Sequence, residues 1–436
     1  MGLSSVLFAT VMALLAGLIV PQIRYSLGLF HIGVDFKPQL PVVSTFAATC
    51  TPHHRDLLVG CEDLHLVGDH TIYTACEAGL PLDNRLKWAR DKAINVSHIP
   101  GDKLFRWDLK TDSVVELELK NMPVDPTTGK LDTSAAERSF LGMDVNERPD
   151  GTVSLYVINL KQPGNVIDKF HHDPATNYAT FVTRIEAGDH PEAAWLPDDV
   201  FTLPEYDDDD AVFATCDHGT TYHHIEYFTR RPWAWVSFYS KSTGWKIALP
   251  NVVSANGIVG DKSPTGPKNG RGRRIYVSEV VNGQILVAKM SDTEYGKLEL
   301  VDTIVHGRTG DNPTLSADGD DLYITGAASV LNIKSYLTDI TPDFSSIETA
   351  KDGTVAIERN EDGLPKVSGP GSFIKRFDTT AEGGGKHESL LLDGYGEFAN
   401  FTTTALVVPN GGKGGKGDLY LTGLKFDGVL VCKNLA

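Results

Sequence analysis

The sequence predicts an all-β fold, and within that class a six-bladed β-propeller. From about residue 46 onward, short apolar segments alternate with Gly, Pro, Asn and Asp, and helical periodicity is rare. A short element recurs six times, in which an apolar, an aromatic and an apolar residue usually precede a small or polar one. The 436 residues are enough for one large closed β domain.

The six copies of this repeat are spread over the whole chain. They lie at residues 72–75, 155–158, 212–215, 275–278, 322–325 and 419–422. Most are followed by a second strand candidate, at residues 104–107, 166–170, 236–239, 285–288 and 429–432. A β-sandwich has a similar rhythm of strands and turns. Six copies along the full length favour blades repeated around a central channel.

The cysteines bear on how such a ring closes. None of the five has the CxxC spacing of a zinc site, and sequence alone does not pair them. Cys50 and Cys432 stand at opposite ends of the globular part, where the first and last strands of a ring must meet. A disulfide there would stabilise closure by about 4–5 kcal/mol in the chain-entropy model. The sequence does not decide whether Cys61, Cys76 and Cys216 are free or bridged, and for Cys61 we favour a buried, inert thiol.

The N-terminus predicts a route into the secretory pathway. Residues 3–20 are almost continuously apolar, near the lower limit of about 17–25 residues for a membrane-spanning helix. A basic leading segment and a clear Ala-x-Ala cleavage site are missing, so we favour an uncleaved signal or signal-anchor. We divide the chain into a signal peptide or signal-anchor helix (1–22), a stalk (23–45) and the propeller (46–436). The propeller would be extracellular or lumenal, with membrane association through residues 3–20.

Charge and glycosylation motifs agree with that location. The net charge of -17 argues against nucleic-acid binding, which needs a basic surface, and is compatible with binding cations. The tripeptides that begin at Asn95 and Asn400 match the acceptor pattern for N-linked glycans.

Carboxylate and amide side chains stand beside several apolar, strand-like runs. Oxygen atoms of this kind are the ligands that calcium prefers, six to eight around each ion. Adjacent residues of a strand point in opposite directions, so Glu62 and Asp63 would serve different ions. We predict two calcium ions in the channel. The first site would use Glu62, Asp198, Asn256, Asp311 and Asn312, and the second would use Asp63 and Asp199 with main-chain carbonyls.

The other sequence patterns do not indicate a nucleophile or a zinc site. There is no Gly-x-Ser-x-Gly nucleophile motif and no His-Glu-x-x-His zinc motif. Adjacent histidines diverge on an extended backbone, so we interpret three pairs as surface residues: His53-His54, His171-His172 and His223-His224. The acidic run at residues 207–210 is expected to form a solvated turn, because contiguous carboxylates repel one another.

Several short motifs together resemble the serum paraoxonase/arylesterase family, which are secretory, calcium-dependent six-bladed propellers with an uncleaved N-terminal hydrophobic segment. The resemblance runs from Cys50 to Cys432 and depends on the order and spacing of the motifs. These are Gly60-Cys61-Glu62-Asp63-Leu64, Phe140-Leu141-Gly142-Met143, Pro197-Asp198-Asp199-Val200, Asp217-His218, Trp233-Ala234-Trp235 with Tyr239, Ala255-Asn256-Gly257-Ile258 and Gly310-Asp311-Asn312.

The resemblance implies an outer, catalytic calcium on the first predicted ligand set. It also implies an inner, structural calcium on Asp63, Asp199 and a main-chain carbonyl near Met143. The chain departs from the family at Asp198, where Asn is usual. It departs further at Leu141 and Leu160, which stand where the family has the histidine dyad that activates water. Another channel histidine of the family corresponds to a position near Ala327 or Ala328. Only the histidine at position 218 matches.

The predicted function is a calcium-dependent hydrolase of small-molecule esters or lactones. Calcium would polarise the carbonyl, while Asp198 or His218 would direct water, because leucine transfers no proton. One alternative is a catalytically silent calcium-bound propeller that serves as a membrane-tethered binding protein or folding factor. Another is a strictosidine-synthase-like or gluconolactonase-like propeller. A channel glutamate at position 141 or 160 would favour the synthase-like alternative, and neither position has one.

Overall fold

A computed structural model describes most of the predicted propeller. The described residues are 49–77, 100–124, 129, 131, 137–161, 164–219, 223–266, 272–328, 370–380, 385–393, 399, 401–410, 417–424 and 426–434. The predicted signal or anchor, the stalk and both glycosylation sites, Asn95 and Asn400, lie outside them. In these parts of the chain, no helix has the length and apolar character needed to cross a membrane.

The described residues form six mainly antiparallel sheets, and each sheet is one blade of a propeller. Blade 1 contains β2 (His65–Val67), β3 (Thr71–Cys76), β4 (Lys103–Asp108) and β5 (Ser113–Glu116). Blade 2 contains β7 (Phe140–Glu147), β8 (Val153–Asn159), β9 (Val166–His172) and β10 (Tyr178–Glu186), with β6 (Glu118–Lys120) parallel to β10 at its edge. Blade 3 contains β11 (Pro197–Thr202), β12 (Val212–Cys216), β13 (Ala234–Ser240) and β14 (Gly244–Val252).

The remaining blades follow the same order. Blade 4 contains β15 (Ala255–Gly260), β16 (Ile275–Glu279), β17 (Gln284–Met290) and β18 (Leu298–Val305). In blade 5, the short strands β19 (Thr309–Gly310) and β20 (Thr314–Leu315) both pair with β21 (Asp321–Ala327), followed by β22 (Ser372–Asp378) and β23 (His387–Asp393). Blade 6 contains β24 (Thr404–Pro409), β25 (Gly417–Thr422), β26 (Val429–Cys432) and β1 (Cys50–His53). The described residues also include helix α1 (His223–Thr229) and a 3-10 helix (Pro204–Asp209).

The repeat found in the sequence is the second strand of every blade. All six copies fall in β3, β8, β12, β16, β21 and β25, and the following strand candidates are third strands. The prediction of a six-bladed propeller is therefore confirmed, and the sandwich alternative is wrong. Second strands such as β8 are buried along their whole length, so they are mainly apolar and easy to find in sequence. The third strand of blade 5, β22, was missed, because a long segment separates it from β21.

The aromatic residue of each repeat packs against the next blade. Tyr73 of blade 1 shares an apolar cluster with blade 2, and Phe213 of blade 3 shares one with blade 4. Tyr420 of blade 6 packs in the same way against Trp107 of blade 1, with ring centroids 5.4 Å apart. The repeat thus supplies the side chain that fills each interface between blades.

The ring closes through β1, which pairs with β26 although the two strands lie at opposite ends of the chain. Cys50 stands opposite Cys432 in this pairing, and the two form the predicted disulfide. Cys61 and Cys76 form a second disulfide, so the expectation of an inert thiol at Cys61 is wrong. The segment before β2 runs beside the end of β3 and brings the two residues together. Cys216 is a buried free thiol. Two disulfides are typical of proteins from an oxidising compartment.

The acidic run at residues 207–210 is not a solvated turn. Asp207 is 7% exposed and Asp210 is 1% exposed, and both face the buried ammonium group of Lys169. Lys169 Nζ lies 3.1 Å from Asp207 Oδ2 and 2.8 Å from Asp210 Oδ1. Burial alone would raise the pKa of Asp207, but the charge of Lys169 holds it below its usual value. Arg148 also pairs with Asp207, and Lys241 with Asp210. The local sequence reveals none of these partners.

We expect Lys169→Met to lower the free energy of unfolding by about 1.5–3 kcal/mol, because it removes the buried ammonium group that donates to both carboxylates while Arg148 and Lys241 stay in place. Asp208→Asn is the matched control from the same run, since the Asp208 side chain is 95% exposed. It should change stability by less than about 0.5 kcal/mol. Urea denaturation measures both, and equal effects of the two substitutions would contradict the assignment.

Candidate metal site in the central channel

The first strands of the six blades surround the channel. Each contacts the first strand of both neighbouring blades, in the closed order β2, β7, β11, β15, β20, β24 and back to β2. The predicted ligands lie in or next to these strands in four of the blades. Glu62 and Asp63 precede β2, Asp198 and Asp199 lie in β11, Asn256 lies in β15, and Asp311 and Asn312 follow β19. Residues far apart in sequence therefore reach one end of the channel.

Three of the predicted ligands form a compact acidic group. Carboxylate oxygens of Glu62, Asp198 and Asp311 all lie within 4.8 Å of one another. The Oδ2 atom of Asp198 and both polar side-chain atoms of Asn312 are buried and have no hydrogen-bond partner among the described residues. Burying such groups without partners is costly, and a cation bound by oxygen atoms would compensate for that cost. The group is thus suited to hold a metal ion.

The second predicted pair has a structural role in the described residues. Asp63 Oδ2 accepts a hydrogen bond from Met143 N at 3.0 Å, and its Oδ1 accepts one from Thr404 Oγ1 at 2.9 Å. These bonds join blade 1 to blades 2 and 6. Asp199 accepts main-chain hydrogen bonds from Val200 and Ile258, each at 2.7 Å, and the second of these joins blade 3 to blade 4. The atom of residue 143 that contacts Asp63 is the N–H group, whereas the predicted ligand is its carbonyl.

The carboxylates in the channel raise one another's pKa values. Burial, with the charges of Asp217 and Asp311, raises the pKa of Asp198 well above its usual range. Burial and Asp63 raise that of Asp199, and burial, Asp63 and Asp217 raise that of Asp311. Burial is the largest cause of each shift, and the neighbouring carboxylates add to it. A bound cation would counter the repulsion and favour the ionised forms.

Two glycines allow the first strands to approach this closely. A Cβ atom on Gly257 would lie 2.5 Å from Asn312 Cα and 2.7 Å from Asn312 Oδ1. A Cβ atom on Gly142 would lie 2.4 Å from the carbonyl oxygen of Asp198. Real Cβ contacts of that length essentially never occur, so any larger residue would displace the neighbouring strand that carries a candidate ligand.

His218 lies beside this group, outside the set of three converging carboxylates. Its Nε2 is 3.0 Å from Asp217 Oδ2, and Ser254 Oγ donates a hydrogen bond of 2.9 Å to Asp217 Oδ1. The hydroxyl of Tyr227, on α1, donates to Asp217 Oδ2 at 3.3 Å. The negative charge of Asp217 contributes to the raised pKa of Asp198. Sequence reasoning missed Tyr227 and Ser254, since neither stands in a recognisable motif.

The two leucines at the positions of the expected histidine dyad are buried in an apolar cluster. Leu141 and Leu160 share it with Ala327, Phe401 and Leu424, which come from blades 5 and 6. Ala328, the other predicted position for a channel histidine, is buried as well. These positions offer an apolar surface and no group that could transfer a proton.

No family model matches the chain, and no curated protein matches it either. Solved structures similar to it include a putative gluconolactonase with a TM-score of 0.39 and 11% identity, covering 87% of this chain and 91% of that one. The periplasmic gluconolactonase of Pseudomonas aeruginosa has a TM-score of 0.39 and 13% identity, with 83% and 77% coverage. A PQQ-bound aldose sugar dehydrogenase of Streptomyces coelicolor has a TM-score of 0.45 and 11% identity, with 86% and 94% coverage. This is a distant similarity of fold, and it does not bear on the chemistry of the site.

Gly257→Ala should destabilise the protein by about 1–3 kcal/mol, because the added methyl group overlaps the backbone of Asn312. Gly164→Ala is the matched control, since a Cβ atom there meets nothing within 4 Å. Thermal melting of both variants measures the difference. Equal melting temperatures would contradict the close approach of β15 to Asn312.

Proposed function

We propose that the protein is a calcium-dependent hydrolase of carboxylic esters or lactones, of the serum paraoxonase/arylesterase type. The observation that carries this proposal is the close convergence of Glu62, Asp198 and Asp311 from three different blades, two of them buried and Asp198 partly exposed. The ligand atoms of the proposed outer set are carboxylate and amide oxygens, which favours calcium over the transition metals. The two disulfides support a setting in the secretory pathway or outside the cell, with residues 3–20 as a signal or membrane anchor.

The proposed ligands of the outer ion are Glu62, Asp198, Asn256, Asp311 and Asn312. Those of the inner ion are Asp63, Asp199 and the main-chain carbonyl of Met143. Bound calcium would supply a Lewis acid for the carbonyl oxygen of the substrate, together with the positive charge that the buried carboxylates lack. The unpartnered oxygens of Asp198 and Asn312 fit this role, because they have no competing hydrogen bond among the described residues.

Proton transfer falls to Asp198 and His218 in this proposal. Asp198 is the candidate base beside the ion, because an ionised carboxylate can accept a proton from the attacking water. Asp217 Oδ2 contacts Nε2 of His218, so it orients the imidazole.

A second candidate is a calcium-bound propeller without catalytic activity, tethered to the membrane as a binding protein or folding factor. Leu141 and Leu160 favour it, because they bury hydrocarbon where the resembled enzymes carry the histidines that activate water. The carboxylate group would then be retained for stability alone.

Hydrolysis of an aryl acetate and of a simple lactone by the purified protein separates the two candidates. With calcium present we expect turnover that disappears on chelation and returns when calcium is added back, because the carbonyl would lose its electrophilic partner. Asp311→Asn should weaken this recovery, whereas Asp208→Asn at the exposed acidic run should not. A rise in melting temperature with calcium, without hydrolysis of either substrate, would support the binding protein instead.

Asp198→Asn tests the proposed base. The amide keeps an oxygen for the metal but accepts no proton, so turnover should fall by about a hundredfold or more while calcium still raises the melting temperature. His218→Asn is the companion variant and tests the other candidate. If turnover is undiminished in Asp198→Asn but lost in His218→Asn, the base is His218 and not Asp198.

A further inference from the structure

Two histidines and an aspartate meet outside the channel, where the ring closes. His53 ends β1, the closing strand of blade 6, and His54 follows it. Asp112 stands just before β5, in the turn that connects β4 to β5 of blade 1. One possible ligand atom from each residue lies within 4.8 Å of the other two. The cluster therefore spans two blades and shares no residue with the acidic group of the channel.

The backbone explains why these histidines do not diverge as expected. His54 has a φ of 53°, in the left-handed region that residues other than glycine seldom adopt. The chain turns there and directs both rings to the same side. Their centroids lie 5.9 Å and 4.9 Å from the ring of Trp107, for His53 and His54 respectively. The expectation that the two rings diverge is therefore wrong for this pair, although both side chains remain partly exposed.

Each histidine contacts a different oxygen of the same carboxylate. His54 Nε2 lies 2.9 Å from Asp112 Oδ1, and His53 Nδ1 lies 3.8 Å from Asp112 Oδ2. Ligand atoms bound tetrahedrally at about 2.0–2.1 Å from zinc are roughly 3.3 Å apart, so small side-chain movements would accommodate an ion. The Asp112 side chain is 58% exposed, which leaves access for the ion and for water ligands.

Outer contacts hold the ligand atoms in place. Thr51 Oγ1 lies 3.2 Å from His53 Nε2, so the ring can donate its N–H group there and keep Nδ1 for a metal. Trp107 Nε1 donates a hydrogen bond of 3.0 Å to Asp112 Oδ1. Burial lowers the pKa of His53, which favours the neutral imidazole that binds metals. The nearby ammonium group of Lys433 is neutralised by Asp418, at 2.6 Å.

We propose that His53, His54 and Asp112 form a second metal site, specific for a divalent transition metal of the zinc class. Two imidazole nitrogens with one carboxylate suit zinc, nickel or copper, whereas calcium prefers oxygen alone. The ion would join the last strand of the ring to its first blade. It would therefore reinforce the same closure that the Cys50–Cys432 disulfide covalently links.

Zinc titration of the full-length protein, free of any histidine tag and saturated with calcium, tests the proposal. We expect one zinc ion to bind by calorimetry and to raise the melting temperature. Cobalt in its place should give visible absorption bands of a low-coordinate nitrogen–oxygen site. His54→Ala and Asp112→Asn should each weaken zinc binding by about tenfold or more. The amide of Asp112→Asn still accepts the bond from Trp107, so this variant decides the matter if His54→Ala does not fold.

Two controls assign the ion to this cluster. His190→Asn removes an exposed histidine elsewhere and should leave zinc affinity unchanged. Asp311→Asn alters the channel group and should also leave it unchanged. Zinc binding that persists at full strength in Asp112→Asn, or that is lost in Asp311→Asn alone, would overturn the proposal. The absence of any zinc binding to the unaltered protein would do the same.

Discussion

Closure of the ring is the constraint on which the rest of this protein depends. Each blade leaves an apolar side that only the next blade can cover, and the aromatic residue of each repeat occupies that interface. The sixth interface, between Tyr420 and Trp107, forms only when the chain returns to its start. β1 makes this return by completing blade 6, and the Cys50–Cys432 disulfide secures it. Without this return one interface would stay open to water.

Closure also determines the chemistry of the channel. The six first strands contact one another only when the ring is complete, and their ends then bring Glu62, Asp198 and Asp311 together. Burying like charges so closely opposes folding, and both burial and mutual repulsion raise the pKa values of Asp198 and Asp311. The main-chain hydrogen bonds to Asp63 and Asp199 offset part of the cost. A cation would offset the remainder, so fold and site depend on each other.

Parts of the site could be predicted because they leave a local pattern. Each pair of oxygen-bearing residues stands beside an apolar strand, and the order of these motifs restricts their arrangement. The residues that surround the candidate ligands could not be predicted. The sequence around Asp217 does not indicate that Tyr227 and Ser254 are its hydrogen-bond partners. In the same way, the sequence around residue 207 does not indicate its contact with Lys169. The second disulfide was missed for the same reason, since Cys61 and Cys76 meet only when the segment before β2 lies beside β3.

The sequence by itself determined the all-β class and the number of blades, because strand periodicity is a property of the chain alone. The positions of Cys50 and Cys432 suggested the closing disulfide, and the structure showed the pairing. Only the tertiary structure decided which charges are buried, which carboxylates share a volume, and that His53 and His54 face one partner. The physical reason is that burial and electrostatic energy depend on distances between blades. A left-handed backbone at one residue, such as His54, is enough to reverse an expectation based on extended geometry.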